Sequence, residues 1–239
     1  MNAFARQPLK LDLWLWPLDL HGAARARLEA HLSGREHQRA AAFGFERDRR
    51  RFVCARGRLR EILGDVTGTA PARLDFALGD HGKPMLAGGP AFNLSHSAGW
   101  AALAISPGPA IGIDIEACRP IEPGLADHVF SPAERAALAA LAPADRLAGF
   151  FHCWTRKEAF VKASGLGLWQ PLDSFDVTPD PASPPRVLRV AQGAAGSADW
   201  QMVALDLGPG FAGAVAAATD RPLRLCYRGH RPPLRPATD

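Results

Sequence analysis

The segment Trp154-Thr155-Arg156-Lys157-Glu158-Ala159-Phe160-Val161-Lys162 repeats Trp154, Glu158 and Lys162 at intervals of four. One helical face would then carry a carboxylate and an ammonium a turn apart. Upstream, Gly112-Ile113-Asp114-Ile115-Glu116 alternates apolar and acidic side chains. A strand would turn Asp114 and Glu116 to one side and the isoleucines to the other. Carboxylates gathered in a cleft repel one another unless a cation neutralises them, and hard oxygen donors suit magnesium together with substrate phosphates. Asp114, Glu116 and Glu158 with Lys157 and Lys162 therefore read as a site for a divalent cation and a polyphosphate. The plainer alternatives are a solvated edge strand and an ordinary Glu–Lys pair on an exposed helix.

Asn93-Leu94-Ser95-His96-Ser97 sets one histidine between two serines at a strand end. No neighbouring aspartate points to a Ser-His-Asp relay. An imidazole flanked by hydroxyls can contact a phosphate instead, or be held as structure. Gly82-Lys83-Pro84 reads by itself only as a turn.

These residues need elements to carry them. Leu11 to Leu20 is apolar but contains two aspartates and Pro17, so it is read as an edge strand and excluded as a signal segment or membrane span. Ser33-Gly34-Arg35-Glu36 has the form of a capping box opening a short helix to about Ala42. An arginine-rich helix is expected from Glu46 to Leu63, with Gly64 as its stop. Strands follow at Leu74–Leu78, Ala91–Ser95 and Ala101–Ile105, the first two separated by a turn over Gly79-Asp80-His81-Gly82-Lys83-Pro84. Ser106-Pro107-Gly108-Pro109 marks a boundary, dividing the chain into residues 1–107 and 108–239. In the second part, Ile111–Ile115 is a strand and Ser131-Pro132-Ala133-Glu134 caps a helix running to about Leu141. A further helix spans Asp145 to Ser164, ended by Gly165, with Gly167 and Leu168 beyond. Strands are expected near Phe175–Val177, Arg186–Val190, Trp200–Leu205, Ala212–Ala217 and Leu223–Tyr227. Each part thus combines helices with a mainly antiparallel sheet, an α+β organisation, and no residue-level repeat links the two.

The 239 residues, 47% of them hydrophobic, suffice for one large or two small packed units. Cys54, Cys118, Cys153 and Cys226 are scattered without metal-ligand or disulfide spacing, which favours a reducing cytoplasm. The formal charge of +4 is moderate, but Arg47, Arg49, Arg50, Arg51, Arg56, Arg58 and Arg60 crowd one helix. That density points to an anionic partner such as a phosphorylated small molecule, an acidic protein or nucleic acid, or else to a solvated face.

Taken in order, Arg47-Asp48, Gly82-Lys83-Pro84, Phe92-Asn93-Leu94-Ser95-His96-Ser97, Gly112-Ile113-Asp114-Ile115-Glu116, Phe130-Ser131 and Trp154 to Lys162 with Gly165 and Gly167 resemble the 4′-phosphopantetheinyl transferases. The likeness is to the larger single-chain class typified by the surfactin and enterobactin synthetase activators, and it spans Ser33 to Leu168. It implies two similar halves related by a pseudo-twofold, with coenzyme A in the cleft between them. It also implies transfer of the phosphopantetheine arm of coenzyme A to a serine of an apo acyl or peptidyl carrier protein, releasing adenosine 3′,5′-bisphosphate. By that resemblance Asp114, Glu116 and Glu158 hold magnesium, or manganese in its place. Glu158 is the base for the carrier serine, directly or through a water, and Lys162 stabilises the departing phosphate. Lys157 contacts phosphates, Arg47, Ser95 and His96 face the 3′-phosphate or pyrophosphate, and Lys83 with Pro84 belongs to the nucleotide-side loop. The run Ala77-Leu78-Gly79-Asp80-His81 lacks the Arg or Lys found there in some relatives. A cytoplasmic monomer with no membrane or nucleic-acid partner is implied. Against a nuclease, Glu116-Ala117-Cys118 offers no lysine after the acidic strand; a basic binding module would have no use for Glu158 and Lys162.

Overall fold

A computed structural model describes residues 6–79, 82–167, 170–190 and 199–235. The turn residues Asp80 and His81, and Leu168, lie outside them.

Among the described residues one order of elements occurs twice. Strand β1 (Leu9–Pro17) leads to α1 (Gly22–Glu29), α2 (Gly34–Ala41) and α3 (Glu46–Thr67). A small hairpin follows, β2 (Phe76–Leu78) with β3 (Pro84–Leu86), then a longer one, β4 (Ala91–Ser97) with β5 (Trp100–Ser106). The series restarts at β6 (Ile111–Ala117) and continues with α4 (Leu125–Val129), α5 (Pro132–Ala140) and α6 (Arg146–Ser164). It closes with the hairpins β7 (Phe175–Val177) with β8 (Val187–Val190) and β9 (Trp200–Ala204) with β10 (Phe211–Ala218). Strand orders match as well: β1-β5-β4 in the first series and β6-β10-β9 in the second, all antiparallel, each with its last strand central. The fold is α+β.

The final strand, β11 (Leu223–Gly229), runs parallel to β1 in register Leu9 with Leu223. Two expectations are corrected by this. β1 is an interior strand, and residues 223–229 belong to the first sheet although they lie in the second half of the chain.

Alternation decides the layering. Leu9, Leu11, Leu13 and Leu15 on β1 pack against Ile111, Ile113 and Ile115 on β6, and Val215 and Ala217 on β10, forming a core between the two sheets. The outer face of the first sheet is covered by Leu59, Ile62 and Leu63 of α3, and that of the second by Phe160, Ala159 and Ala163 of α6. Helix, sheet, sheet and helix therefore stack in four layers, which leaves Asp114 and Glu116 on the α6 side of β6. Helix α3 continues past Gly64 to a left-handed cap at Gly68. Gly64 is a glycine for another reason, since a Cβ there would meet the Thr69 carbonyl at 2.7 Å.

The crowded arginines find their anions within the chain. Arg50 and Arg51 bind Asp19 at 3.1 and 2.7 Å, Arg56 and Arg60 bind Glu36 at 2.7 and 2.6 Å, and Arg27 and Arg58 flank Glu61. The density of positive charge on this helix therefore does not by itself require an external anionic partner. Hydrogen bonds from Arg51, opposed by burial and reinforced by Arg50, hold Asp19 below its usual range. Burial pushes Glu36 up, but the Ser33 amide and Arg56 outweigh it, and its pKa is also lowered. Depressed carboxylates stabilise the fold above their unfolded pKa values, and that stability is lost as pH falls through the folded ones. The urea midpoint should accordingly fall on acidification below the ordinary carboxylate range, and Asp19→Asn should flatten that dependence.

Candidate active site

Helix α6 reaches β6 through one glycine. A Cβ on Gly112 would stand 2.1 Å from the Ala159 carbonyl oxygen and 2.5 Å from the Ala163 nitrogen, so only hydrogen permits the two backbones to cross there. The crossing sets Glu158 and Lys162 over Asp114 and Glu116. These four line a cavity of about 270 Å3 with Leu94, Ser95 and His96 of β4 and Trp154 of α6.

Within it the Lys162 ammonium donates to Asp114 Oδ1 at 2.5 Å, and the Ser95 hydroxyl donates to the same oxygen at 2.8 Å. Ser97 donates to Glu116 Oε2 at 2.5 Å. Asp114 Oδ2 is buried without a hydrogen-bond partner among the described residues. Burial raises the Asp114 pKa despite Lys162 and Ser95. Burial also raises Glu158; Lys162 opposes that shift, and the charges of Asp114 and Glu116 add to it. The His96 pKa is lowered by burial and by Lys162. Lys162 thus faces three carboxylates, with Arg119 reaching Glu116 Oε2 from the rim at 3.3 Å. The orphaned, buried Oδ2 and the all-oxygen donor set fit a hard divalent cation. Among the described residues no three His, Cys, Asp or Glu side chains are already drawn together as a metal cage. Lys162 and Ser97 occupy carboxylate oxygens that a cation would take.

Two larger cavities adjoin. One, of about 460 Å3, is lined by Lys83, Pro84, Glu158, Lys162, Gly165, Gly167 and Gln170 among others. The second, of about 550 Å3, lies between α3 and β4 and includes Arg39, Phe43, Arg51, Phe52, Arg56, Pro84 and His96. The Lys83 ammonium donates to the Ile111 and Lys162 carbonyls at 2.6 and 2.7 Å, and burial, then the Lys162 charge, lower its pKa to about 8.

Asp114, Glu116, Glu158, Lys162, Ser95 and His96 are therefore brought together, and Lys83 and Pro84 border them. One expected role changes, and two further residues are placed as follows. Lys157 is fully buried, its ammonium between both oxygens of Glu134 at 2.6 and 2.7 Å and the Phe175 carbonyl at 2.7 Å. One residue along a helix is about 100° around it, so the neighbour of Glu158 faces the α5–β7 core and reaches no phosphate. Ser95 has its single donor committed to Asp114 and accepts from the Ile115 amide at 3.3 Å, so it holds a carboxylate. Arg47 is exposed in the first turn of α3 beside Asp48, and the arginines lining the cavity are Arg39, Arg51 and Arg56.

Sequence reasoning missed Asn93, Ser97 and Glu134. Asn93 Oδ1 accepts from the Ile113 amide at 2.8 Å and Ser97 Oγ from the Ala117 amide at 3.1 Å, continuing the Ser95 contact. Their spacing of two was the available signal, matching that of the β6 residues they meet.

Comparison with known proteins gives the family. A family profile described as the 4′-phosphopantetheinyl transferase superfamily matches residues 110–219, and one for the N-terminal part of 4′-phosphopantetheinyl transferases matches residues 24–108. The 4′-phosphopantetheinyl transferase HetI of Nostoc sp. is 37% identical over 74% of this chain and 78% of its own length. A Bacillus subtilis 4′-phosphopantetheinyl transferase is 35% identical over 63% and 68%, and Sfp of Bacillus subtilis strain 168 is 35% identical over 63% and 73%. Among solved structures, the holo-[acyl-carrier-protein] synthase of Thermotoga maritima is similar at a TM-score of 0.38 and 18% identity, covering 47% of this chain and 64% of that one. The chain belongs to the 4′-phosphopantetheinyl transferase superfamily. It is a transferase of the larger, Sfp-like class.

Gly112→Ala should cost about 1–3 kcal/mol or more because the obstacle is backbone, seen as a drop of several degrees in Tm. Lys157→Met should destabilise by about 3–5 kcal/mol by leaving Glu134 buried and unpaired. Adding Glu134→Gln, which keeps an acceptor for the Val177 amide, should recover much of that loss in urea unfolding.

Proposed function

We propose that this enzyme transfers the 4′-phosphopantetheine arm of coenzyme A to the serine hydroxyl of an apo acyl or peptidyl carrier protein. Adenosine 3′,5′-bisphosphate is the second product, and magnesium, or manganese in its place, is required. The observation that carries this reading is the gathering of Asp114, Glu116 and Glu158 around one lysine, with a buried carboxylate oxygen left unpartnered. Asp114, Glu116 and Glu158 would hold the ion. When bound, it withdraws electron density from the phosphorus under attack and offsets charge on the leaving group.

The chain supplies the rest. Glu158 lines the same cavity and takes the proton of the incoming serine, directly or through a water. Lys162, now on Asp114, is within the same cavity to pair with the departing bisphosphate. Arg39, Arg51 and His96 border the adjoining cavity that would receive the nucleotide end of coenzyme A, with Phe43 and Phe52 as its apolar wall. The nucleophile belongs to the carrier, so the chain needs no triad of its own.

The cysteines are free, as in the cytoplasm, and no helix among the described residues is long and apolar enough to cross a membrane. The alternative of a basic binding module loses its support where the α3 arginines pair with Asp19, Glu36 and Glu61.

Incubation with magnesium, coenzyme A and an apo carrier should add the mass of one phosphopantetheine arm to the carrier. Chelation of the metal should abolish that gain. Glu158→Gln should lower turnover about 10²–10⁴-fold with the circular dichroism spectrum unchanged. Absence of the adduct with several different carriers would sink the reading.

A further inference from the structure

The Gly82-Lys83-Pro84 turn belongs to the first half of the chain, yet its lysine ends in the second. Lys83 Nζ lies 2.6 Å from the carbonyl oxygen of Ile111, the first residue of β6, and 2.7 Å from that of Lys162, in the last turn of α6. Both partners are neutral main-chain acceptors, so the contact is not an ion pair that a phosphate would simply replace.

The Lys162 carbonyl needs such a donor. It is among the last carbonyls of α6, which lack intrahelical partners. The amide four residues on, that of Leu166, turns instead to the Ser164 hydroxyl at 3.4 Å. Lys83 therefore acts as a side-chain cap for this helix end, a favoured place for a cation. The turn that presents it is itself closed, with the Gly79 amide donating to the Lys83 carbonyl at 2.9 Å and the Gly82 amide to the Gly79 carbonyl at 2.9 Å.

What the ammonium joins matters more than where it comes from. β6 carries Asp114 and Glu116, three and five residues beyond Ile111, and α6 carries Glu158 one turn before Lys162. We propose that Lys83 is a positioning residue for the transfer reaction, clamping the start of β6 to the end of α6 so that the two sets of carboxylates keep a fixed separation. Its expected role as a coenzyme A contact is then secondary. The proposal rests on the transferase reading above for its kinetic consequence, but not for its structural one.

The test compares wild type with Lys83→Met and Lys83→Arg, the second retaining N–H donors. Hydrogen–deuterium exchange of the full chain, without coenzyme A or carrier, should quicken several-fold in peptides covering 111–117 and 160–166 for Lys83→Met. Peptides from α3 should be unaffected, and Lys83→Arg should restore most of the protection. In the transfer assay, kcat should fall about tenfold to a hundredfold, as small misplacements do, with the KM for coenzyme A within about twofold. Unchanged exchange in both segments would overturn the proposal, as would a KM for coenzyme A raised tenfold at unchanged kcat, the pattern of a ground-state phosphate contact. If wild type transfers nothing, the functional reading fails while the exchange result still decides whether the clamp exists. If Lys83→Met does not fold, Lys83→Arg still decides: protection and kcat near wild type support the clamp, and loss of both at unchanged Tm overturns it.

Discussion

Strands β4 and β6 are edge strands of different sheets, and they are joined by side chains. Asn93, Ser95 and Ser97 reach from β4 to the amides of Ile113, Ile115 and Ala117 in steps of two on both strands. An edge amide buried between two sheets costs about 1–3 kcal/mol if left unpaired, so three such contacts decide whether the sheets can meet at all. The serines do more, because a hydroxyl both accepts and donates. Each takes a β6 amide with its lone pair and gives its proton to the carboxylate one residue earlier, Ser95 to Asp114 and Ser97 to Glu116. The joint between the halves and the support of the acidic pair are consequently one structure. Neither could be altered without the other.

Elsewhere the chain balances buried charge with care, and it does so twice in the same way. Glu36 and Glu134 are each the N3 residue of a capping box on the second helix of their half. Each receives a buried cation from the third helix, Arg60 for Glu36 and Lys157 for Glu134. Both cations also donate to main-chain carbonyls where the small hairpin begins, Leu74 for Arg60 and Phe175 for Lys157. Each group is thus hydrogen-bonded as well as paired, the condition under which buried ions are tolerated. Against that background the acidic cavity stands apart: Asp114, Glu116 and Glu158 gather about Lys162, with the exposed Arg119 reaching Glu116 alone, and a buried oxygen goes without a partner. Such undercompensation marks the place where a protein departs from its own structural habits for function.

Local signals were readable and tertiary ones were not. The capping boxes at Ser33 and Ser131 and the left-handed Gly165 were legible because caps depend on four or five adjacent residues. The period of two at Asp114 and Glu116 and of four at Glu158 and Lys162 foretold which side chains share a face. Helix α1 escaped notice because Leu28 is its one buried side chain, leaving no apolar stripe to read. β1 was taken for an edge strand because its parallel neighbour β11 returns from the far end of the chain, a pairing no local pattern encodes. Gly64 looked like a helix stop, yet it is a contact glycine inside the helix. The repeat of topology was implied by the family resemblance alone and left no residue-level repeat, for a related reason. The two halves share an order of elements and a way of burying charge, but one uses arginine where the other uses lysine. Lys157 was misjudged because a motif gives residue types, whereas partners are set by what packs against them.

The position of Lys162 ties these strands together. A cluster of three carboxylates could not be buried in the folded enzyme without a counter-charge, and Lys162 provides one by resting on Asp114. On the proposed reading, Asp114, Glu116 and Glu158 would hold a divalent cation whose charge would offset theirs, leaving the Lys162 ammonium free to pair with another anion. A positive charge then becomes free at the moment and place where a leaving phosphate needs it. The same residue would serve stability before the substrate binds and the leaving group afterwards. Such an exchange demands that the α6 backbone stay still while the Lys162 side chain moves. Gly112 brings α6 close enough to β6 for the exchange, and the contacts that Lys83 makes with the Ile111 and Lys162 carbonyls restrain the backbone at both ends of the short gap across which the side chain travels.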